Sequence, residues 1–427
     1  MYKIYLKQAV ALWKENKILT IVSILGTALA ITMIMVIVLV WQIRAANYTP
    51  ETKRDRTLYI RAATARKKDN AYWNSSAWLS YQTIKECFKP IKEAEAVAAA
   101  VLNVPQLAAL PDHTVEFNSD VTYTDADFWK VFDFHFLSGH PYTEEDVQSG
   151  IARAVLSEST ARRLFGSIDV VGKEIQLSYV SYRISGVVED VSTLATFSYG
   201  NLWVPCTSNP DIMRPFDDDD LLGGFSCYIL AKNKADFSRI QTEAQENVKR
   251  YNTTTASFNL LIWGAPDTHF IQLAREDAFS EPDISGTILR YSLIILILLL
   301  IPSINMSGIM LSRMQKRMAE IGVRKAFGAR RSELIKQILY ENLLLTFIGA
   351  FIGFIFSYIS LMFLKGWLIN PGSGSLIGKN FLNAEMLFNP LIFGLAILFC
   401  LAMNLLSAGI PAWRASSKNI VSALNEN

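Results

Sequence analysis

Residues 18–43 read ILTIVSILGTALAITMIMVIVLVWQI, and none of these side chains carries a charge. At 1.5 Å per residue, roughly 20 helical residues cross the ~30 Å hydrocarbon core of a bilayer. The stretch is also much longer than the apolar region of a cleaved signal peptide, which spans only about 7–15 residues. Trp41 lies near its end, where an indole ring anchors a helix at the membrane surface. We therefore predict a transmembrane helix that remains part of the chain.

Three further stretches lack charged side chains over a comparable length, at residues 291–312, 342–364 and 386–413. Together with the first stretch they predict a membrane protein with four transmembrane α-helices. The composition agrees, since 51% of the residues are hydrophobic and only 19% are charged, against about 25% in soluble domains. The net charge of +2 excludes a strongly basic nucleic-acid-binding protein, and the hydrophobic content excludes a disordered one.

The uncharged stretches divide the chain into segments, of which the one between the first two spans is the largest. In chain order we predict a cytoplasmic amphipathic helix (1–17), the first span (18–43), a large α+β extracytoplasmic domain (44–285), the second span (286–312), a cytoplasmic segment (313–337), the third span (338–364), a short extracytoplasmic loop (365–388), the fourth span (389–412) and a cytoplasmic tail (413–427).

Basic side chains are concentrated on one side of these spans. Four lysines precede the first span and eight lysines and arginines lie within 313–336, whereas 365–385 holds only two. Because cytoplasmic loops carry the excess of Lys and Arg, both termini are predicted in the cytoplasm of a multi-pass inner-membrane protein. Within 1–17, lysines and apolar side chains occupy different helical faces, which predicts a helix in the inner headgroup layer. A positively flanked start of the first span explains the same pattern equally well.

The extracytoplasmic segment has strand and helix patterns at both of its ends. Residues 56–64 and 226–233 are typical of strands, and 235–251 has an apolar stripe at helical spacing. These pieces predict a βαβ-type unit built from both ends of the segment. Between them, residues 113–215 predict short strands and turns that form an inserted β-rich subdomain. The acidic run 217–220 is interpreted as a solvated loop.

One helix inside this insertion is delimited by local signals. Ser157 precedes the sequence ESTARRLFG, and its hydroxyl is suited to accept the first free backbone N–H groups of a helix. Gly166 is suited to end the helix, since glycine adopts the left-handed conformation of a C-terminal cap.

Four cysteines are too few for a disulfide scaffold. Cys87, Cys206 and Cys227 are predicted on the oxidising side of the membrane, and Cys400 lies within the fourth span. If a disulfide forms, Cys206 with Cys227 is the pairing that we would choose. The odd number of outer cysteines, without a spaced framework, favours free and packed thiols.

Motifs for enzymatic chemistry are incomplete in this sequence. Gly378 and Lys379 resemble the end of a phosphate-binding loop, but the first glycine of that motif is missing. Residues 224–228 lack the last glycine of a serine nucleophile elbow. His135 and His140 lack paired ligand spacing, which favours surface or packing histidines over a metal site. We therefore predict a non-catalytic chain that binds no cofactor or metal, with any ATP dependence supplied by a partner.

The second span and the loop after it contain residues that modify a helix. Pro302 loosens the helix, while Asn305, Ser307 and Gly308 offer polar or small contacts to a neighbouring helix. The loop is then predicted to turn at two glycines before the chain returns into the third span. A short basic turn of this kind is suited to docking a cytoplasmic partner. On charge alone, an ordinary positively charged cytoplasmic loop is the simpler interpretation.

Residues 320–329, EIGVRKAFGA, closely resemble the E-I-G-I-R-K-A-L-G-A signature of the FtsX/MacB-type permease family. Asn305 and Arg317 also occupy positions where that family usually has an Asn and a basic residue. The C-terminal PAWRASSKNIVSALN is similar to the family's P-A-R-R-A…P-V-E-A-L ending, with Trp413 and Ile420 as departures. The strand-rich insertion looks like part of the family's periplasmic core domain, so the resemblance extends over nearly the whole chain.

This resemblance implies an ABC-type permease without a fused ATPase. In such proteins two permease chains pair, as identical copies or as paralogues, and a separate ATPase subunit that binds ATP and Mg²⁺ contacts the cytoplasmic turn. ATP-driven motion is passed through the spans to the extracytoplasmic domain (mechanotransmission), which exports or extracts cargo such as peptides, lipoproteins or amphipathic drugs. The other implied partners are the lipid bilayer, a periplasmic adaptor and an outer-membrane channel, and nucleic acid is not among them.

Two groups of residues receive roles from the motif and its helix. The ATPase-coupling group, in the coupling segment 313–337, consists of Arg317, Glu320, Ile321, Gly322, Arg324, Lys325, Gly328 and Ala329. The group for transmission and helix packing consists of Pro302, Asn305, Ser307 and Gly308.

Two other functions are open to a chain of this kind. FtsX itself is a regulatory transducer that activates cell-wall hydrolases outside the membrane, but its outer loop is much smaller than this one. A ligand sensor that reports to a signalling protein would need a cytoplasmic output domain, and the sequence contains none. We therefore rank the regulatory transducer second and the sensor third.

Overall fold

The structure, a computed structural model, describes residues 17–70, 72–297 and 331–369, together with isolated residues elsewhere. Residues 45–287 form one compact unit, called the β-rich unit below. Residues 17–44, 288–297 and 331–369 belong to a second one, called the apolar unit.

The described helices differ widely in length. They are α1 (Lys17–Ala45), α2 (Tyr81–Thr83, continued by a π-helical turn at Ile84–Phe88), α3 (Phe128–Val131), α4 (Glu144–Gln148), α5 (Glu158–Phe165), α6 (Pro210–Met213), α7 (Phe237–Tyr251), α8 (His269–Ala274), α9 (Ile284–Ile297) and α10 (Arg331–Ile369).

The described strands all belong to the β-rich unit. They are β1 (Thr57–Ile60), β2 (Ala63–Lys67), β3 (Asn74–Leu79), β4 (Ala94–Ala109), β5 (Glu116–Thr124), β6 (Phe136–Gly139), β7 (Arg153–Ser157), β8 (Glu174–Leu177), β9 (Val180–Val188), β10 (Leu202–Pro205), β11 (Leu222–Gly223), β12 (Ser226–Ala231), β13 (Phe258–Leu261) and β14 (Asp267–Thr268).

Two of the described helices are long and apolar enough to cross a membrane, at Thr20–Ala45 in α1 and Ile335–Phe363 in α10. The second begins before the predicted residue 338 and therefore also includes Lys336, beside Glu341 near its start. The shorter apolar helix α9 coincides with the start of the second predicted span. The fourth predicted span, 389–412, lies outside the continuously described residues, so four spans stay a prediction.

Glycines of α10 pack closely against α1. A Cβ on Gly349 would lie 2.8 Å from the side chain of Thr27, and a Cβ on Gly353 would lie 2.6 Å from the carbonyl oxygen of Ala28. The hydroxyl of Thr32 donates a hydrogen bond to the Gly353 carbonyl over 3.1 Å. Small residues four apart let two apolar helices approach to backbone contact, which explains this pairing.

Ten strands form one large sheet in the order β14-β1-β12-β4-β5-β10-β7-β9-β6, with β8 pairing to β4 and β9. Strands β1 and β4 are both antiparallel to β12, which lies between them. Because β1 and β4 therefore run in the same direction, the two ends of the segment form a split βαβ arrangement. The predicted insertion is not a separate subdomain, since its strands continue this sheet through β5. Strand β4 has 16 residues, about 50 Å of chain, which is long enough to serve both parts.

A second, smaller sheet has the order β11-β3-β2-β13. Below it is called the small sheet. Strands β2 and β3 form an antiparallel hairpin, and β13 adds to the free edge of β2 from far along the chain. The small sheet therefore combines the segment that follows α1 with the segment that leads to α9.

Local helix signals are confirmed within the β-rich unit. Helix α5 begins directly after Ser157, whose hydroxyl accepts the backbone N–H of Thr160, and it ends at Gly166 with a left-handed φ of 72°. Helix α7 covers most of the predicted stretch 235–251 and buries its apolar stripe, including Ile240 and Val248.

The acidic run 217–220 is only partly the solvated loop that its composition predicts, since Asp218 is exposed and the other three are half-buried. The Asp219 carboxylate accepts backbone N–H bonds from Ala256, Ser257 and Phe258 at 2.6–3.1 Å. Asp217 likewise accepts the N–H groups of Leu221 and Leu222, the latter at 2.6 Å. Burial alone would raise the pKa of Asp219, but the three N–H donors lower it below the ordinary value. Asp217 and Asp219 therefore anchor loops, whereas Asp218 is exposed to water.

The three described cysteines, Cys87, Cys206 and Cys227, are free and buried. Burial raises the pKa of the Cys87 thiol to about 12, so the thiol stays protonated and unreactive at neutral pH. The structure thus confirms packed thiols and contradicts the pairing of Cys206 with Cys227.

Candidate functional site

The predicted ATPase-coupling group and most of the transmission group lie outside the described residues. Gly308 is the exception. It is helical and exposed, and no described atom lies within 4 Å of the position that a Cβ would take. The roles of both groups therefore stay predictions. The described residues offer another candidate site at the two ends of the β-rich unit.

The chain enters the β-rich unit after α1 and leaves it before α9. We call residues 46–56 the outgoing linker, and residues 262–283, which include β14 and α8, the return linker. Strand β1 follows the outgoing linker directly and pairs antiparallel with β14, with Leu58 opposite Thr268 and Tyr59 opposite Asp267. The two linkers are therefore neighbours in one sheet, although about 200 residues separate them in sequence.

The side chain of Arg54 is only 3% exposed and holds the outgoing linker together by contacts with several of its residues. Its Nε lies 2.7 Å from Oε2 of Glu51, while its other nitrogens donate to the Tyr48 hydroxyl and the Ala46 carbonyl, each over 2.7 Å. The guanidinium also stacks on the Tyr48 ring, 4.0 Å from its centroid. Burial alone would lower the pKa of Arg54, but the Glu51 carboxylate raises it above the ordinary value, so the charge persists.

Glu51 connects this linker to the loop between β9 and β10. Its side chain is fully buried, and its Oε1 accepts hydrogen bonds from the backbone N–H of Phe197 at 2.9 Å and from the Ser198 hydroxyl at 3.0 Å. The Tyr48 hydroxyl donates to the carbonyl of Leu194 over 2.7 Å. Both carboxylate oxygens of Glu51 are thus satisfied, as a buried charge requires.

Arg275 holds the return linker together, as Arg54 does for the outgoing linker. Its Nε and Nη2 contact Oδ2 and Oδ1 of Asp267 at 2.6 and 2.8 Å, which is a two-point ion pair. Further bonds of 3.0 Å run from Arg275 to the carbonyls of Trp263 and Ser280. A single side chain therefore holds three separate parts of the return linker together.

An aromatic cluster fills the space between the two linkers. The ring of Tyr59 lies 4.6 Å from that of Phe197 and 5.6 Å from that of His269, measured between centroids. Burial, together with the nearby charge of Arg54, lowers the pKa of His269 to about 3. The imidazole is therefore neutral at physiological pH and acts as a packing group. We call these two linkers and their cluster the junction.

Comparison with known proteins identifies the family. The sequence profile described as MacB-like periplasmic core domain matches residues 20–247, more than half of the chain, and the profile described as FtsX-like permease C-terminal matches residues 292–420. The chain belongs to the MacB/FtsX-type permease family. This outcome confirms the resemblance drawn from residues 320–329.

Individual relatives of this MacB/FtsX-type permease come from several bacteria. A macrolide export ATP-binding/permease protein MacB of Nitrobacter winogradskyi is 27% identical over 78% of this chain and 48% of its own length. The uncharacterized ABC transporter permease YknZ of Bacillus subtilis is 24% identical over 62% of this chain and 63% of its own length. The chain thus spans about half to two thirds of the length of the curated relatives it matches.

Solved structures of extracytoplasmic regions are also similar. The periplasmic region of MacB from Actinobacillus actinomycetemcomitans has a TM-score of 0.35 and 14% identity, over 51% of this chain and 92% of that one. A domain of a putative permease from Porphyromonas gingivalis has a TM-score of 0.36 and 17% identity, over 49% and 90% of the two chains.

In this permease the junction braces the segments that come before the first strand and around the last strand of the large sheet. Removing one partner of a buried ion pair typically costs about 3–5 kcal/mol, because the other charge is left unpaired. Displacing the outgoing linker would take the N–H of Phe197 and the hydroxyl of Ser198 away from the buried Glu51 carboxylate, and displacing the return linker would break the β1–β14 pairing. A force applied at the linkers is therefore expected to move the sheet rather than to be absorbed by the linkers.

The remaining predicted candidates lie elsewhere in the β-rich unit. His135 Nδ1 lies 3.4 Å from Glu189, and His140 Nδ1 lies 2.9 Å from the carbonyl of its neighbour Pro141, both on exposed side chains. Asp133 forms an ion pair with Lys53 at 2.7 Å. In the part of the chain that the structure describes, no group of three His, Cys, Asp or Glu side chains is placed to hold a metal ion.

Sequence reasoning did not select the junction residues Glu51, Arg54, Asp267 and Arg275. Only a weak signal in the sequence pointed to these residues. Each pair consists of opposite charges that lie within about 20 residues of an apolar helix. Such charges in a linker usually face water, so only the burial of the side chains distinguishes these two pairs from surface ones.

Proposed function

We propose that this chain is the membrane permease subunit of an ABC-type transporter that passes ATP-driven motion of a partner ATPase to its β-rich unit. The chain itself is non-catalytic, and ATP and Mg²⁺ bind to the partner. The junction is the observation that carries this proposal, because each linker is braced by a buried ion pair within it and the two linkers meet at the β1–β14 pairing of one sheet.

In the proposed mechanism, closure of an ATPase dimer presses on the coupling segment 313–337. The turn at residues 320–329 receives the motion, and the packing residues near Gly308 pass it along the second span. The junction then transfers the displacement to the large sheet, which handles the cargo outside the hydrocarbon core. To pass the motion on, the linkers must keep their shape, and the buried ion pair within each linker supports this requirement.

The described spans support this interpretation over a polar pathway through the membrane. Charged side chains within candidate spans occur only near their ends, at Arg44 in α1 and at Lys336 and Glu341 in α10. Charged residues deep in a membrane are the usual sign of an ion or proton route. Cargo handled on the extracytoplasmic side needs no such route.

The proposed setting is an inner membrane with both termini in the cytoplasm and four spans. Two permease chains, as copies or paralogues, pair with the ATPase, and a periplasmic adaptor and outer-membrane channel complete the path. The similarity to macrolide export proteins supports amphipathic drugs as cargo, and peptides or lipoproteins are alternatives of similar amphipathic character.

Gentle purification of the tagged full chain from its native membrane tests this proposal. We expect an ABC-type ATP-binding subunit to co-purify, and we expect Glu320→Ala or Gly328→Leu to release it. Glu385→Ala, which removes an acid from the predicted extracytoplasmic loop, serves as the matched control and retains the subunit. If no ATP-binding subunit accompanies the wild-type chain under any mild condition, the proposal fails.

A further inference from the structure

The two edges of the small sheet differ in how their backbone groups are satisfied. At the β13 edge, the Asp219 carboxylate accepts the N–H of Phe258 over 2.6 Å, and the Thr255 hydroxyl donates to the Phe258 carbonyl over 2.6 Å. The Asn252 side chain accepts the N–H of Leu260 over 2.7 Å and donates to its carbonyl over 2.9 Å. Side chains thus occupy the backbone groups with which a further strand would pair.

The opposite edge of the small sheet, at β3, is open. The N–H of Lys67 donates to the carbonyl of Trp73 over 3.2 Å, so the backbone groups of every second residue from Trp73 onward face β2. Those of Asn74, Ser76 and Trp78 therefore face away from β2. Trp78 is paired with β11, but within the described part of the chain the N–H and C=O groups of Asn74 and Ser76 have no hydrogen-bond partner. We call these four groups the open edge.

The sequence around the open edge lacks the usual protection against strand pairing. Edge strands of natural proteins are blocked by charged side chains, prolines or bulges. Residues 70–84 contain no charged residue and no proline, and β3 pairs with β2 without a bulge. Asn74 and Ser75 are exposed, and Ser76 is half-buried. The open edge is therefore suited to accept an added strand.

The charges nearest to the open edge permit an identical partner. Arg66 lies opposite Asn74 on β2, and its guanidinium lies over the Trp263 ring, 5.4 Å from the centroid. Lys67 forms an ion pair with Asp69 at 3.4 Å. If two copies pair through β3, their β2 strands lie three strand spacings apart, about 14 Å. This separation exceeds the screening length of about 8 Å at physiological salt, so the charges of the two copies repel only weakly.

Hydrogen-bond geometry selects one register for such a pair. Because the open groups belong to Asn74 and Ser76, each Asn74 lies opposite the Ser76 of the second copy, and four backbone hydrogen bonds form. The edge is thus complementary to itself about a two-fold axis at Ser75. Trp73 of each copy then lies opposite Ala77 of the other, which places a large side chain, 47% exposed, beside a small one.

We propose that the open edge of β3 pairs antiparallel with the open edge of a second copy of this chain, about a two-fold axis at Ser75. The inference rests on the proposed function, in which two permease chains pair, and it adds the place at which their β-rich units meet. Four hydrogen bonds make a small contact beside the ~1,200–2,000 Å² that stable interfaces bury. The contact therefore orients two chains that one membrane already holds together.

Disulfide trapping in native membranes tests this proposal. Antiparallel partners without mutual hydrogen bonds have Cα atoms about 4.5 Å apart, within the range of about 4.4–6.8 Å that a disulfide spans. Ser75→Cys in the full chain should therefore link two copies on oxidation with copper phenanthroline. Ser181→Cys, at an exposed serine of β9, is the matched control. Cys400 is replaced by alanine in every variant, and the three buried cysteines are left in place.

We expect the cross-linked fraction of Ser75→Cys to exceed that of Ser181→Cys severalfold. Adding Ser76→Pro to Ser75→Cys removes an outward N–H and leaves the bonds to β2 in place, so the chain should fold while cross-linking falls severalfold. Thermal unfolding of this double variant verifies its fold. Equal cross-linking at 75 and 181, or a yield that Ser76→Pro does not change in a folded chain, would overturn the proposal.

Other occupants of the open edge give different results. If Ser75→Cys forms no cross-link and does not react with a water-soluble maleimide, another segment covers the edge and the proposal is rejected. If it reacts with the maleimide, forms no cross-link and still co-purifies with a differently tagged copy, the two chains meet elsewhere and the proposal is again rejected.

Capture of the ATP-binding subunit separates this inference from the function on which it rests. Ser75→Cys without a cross-link but with the ATP-binding subunit would reject only the open edge as an interface. A wild-type chain that retains no ATP-binding subunit would reject the proposed function, whereas the cross-link alone decides the open edge.

Discussion

The side chains of Arg275 and Asp267 meet at two points, with Nε 2.6 Å from Oδ2 and Nη2 2.8 Å from Oδ1. Asp267 is at the same time the register partner of Tyr59, in the first strand that the chain forms after α1. Asp267 therefore contacts the return linker through its carboxylate and the first strand through its backbone. A change at Asp267 is therefore expected to affect the return linker and the first strand together.

Asp267→Asn should destabilise the β-rich unit, because it leaves the buried guanidinium of Arg275 without a counter-charge. We expect a loss of about 3–5 kcal/mol, which corresponds to roughly 6–20 °C in the melting temperature of a unit of this size. Thermal unfolding of the full chain in nanodiscs measures it. Arg162→Ala, which breaks the more exposed ion pair with Glu158, is the control and should shift the midpoint only slightly.

A paired replacement at Glu51 and Arg54 should separate stability from function. Glu51→Gln with Arg54→Met leaves no isolated buried charge, and the glutamine oxygen still accepts the N–H of Phe197, so the fold should persist. The stiff connection to Tyr48 and Ala46 is lost. We expect ATP hydrolysis by the reconstituted complex to continue while cargo release falls severalfold.

The comparison for this double variant is Glu158→Gln with Arg162→Met, which removes a pair of similar spacing on α5. Equal cargo release by the two double variants would show that the junction does not transmit motion.

Gly353→Leu should disturb the pairing of α1 with α10, since even a Cβ at this position would lie 2.6 Å from the Ala28 carbonyl oxygen. We expect a lower yield of folded chain and a lower unfolding temperature in nanodiscs, with an effect of about 1–3 kcal/mol from overpacking. Phe351→Leu, at a 69% exposed position on the same helix, should leave both values near wild type. A fully stable Gly353→Leu variant would mean that the two helices do not meet in this register.

The buried carboxyl of Asp125 should make stability depend on pH. Burial raises its pKa to about 6, although Lys89, 2.9 Å away, acts in the opposite direction. Because this pKa is above the ordinary value near 4, the folded state binds the proton more tightly than the unfolded state does. The contribution to stability is therefore present below pH 4 and is lost as the pH rises through 6.

Unfolding temperatures of the wild type and of Asp125→Asn, measured from pH 4 to 7, check this sign. The wild type should lose stability relative to the variant as the pH rises across that range. If the difference between the two unfolding temperatures stayed constant over this pH range, protonation of Asp125 would not be coupled to folding.

Local patterns were sufficient for the parts of the fold that depend on neighbouring residues. The uncharged run at 18–43 predicted α1, and Ser157 with Gly166 predicted both ends of α5, because spans and caps are decided within a few residues. The motif at 320–329 identified the family for a similar reason. These signals do not depend on how distant segments come together.

The junction could not be predicted in this way. Its ion pairs are buried only because β1 meets β14 and because the loop at 194–198 closes over Glu51, and both contacts join segments far apart in sequence. The acidic run shows the same limit, since Asp219 is an anchor only where the N–H groups at 256–258 arrive beside it. The sequence shows that a side chain is charged, but which groups surround it depends on the tertiary structure.

The pairing of β1 with β14 has a consequence for how such permeases diversify. Adjacent strands lie about 5 Å apart, so the first and last strands of the large sheet bring residues 58–59 and 267–268 together. The segment between them can be replaced by another of any length with the same closure, without moving β1 and β14 apart. The outer part of one transporter is thereby exchangeable for that of another, and chimaeras joined within β1 and β14 should fold.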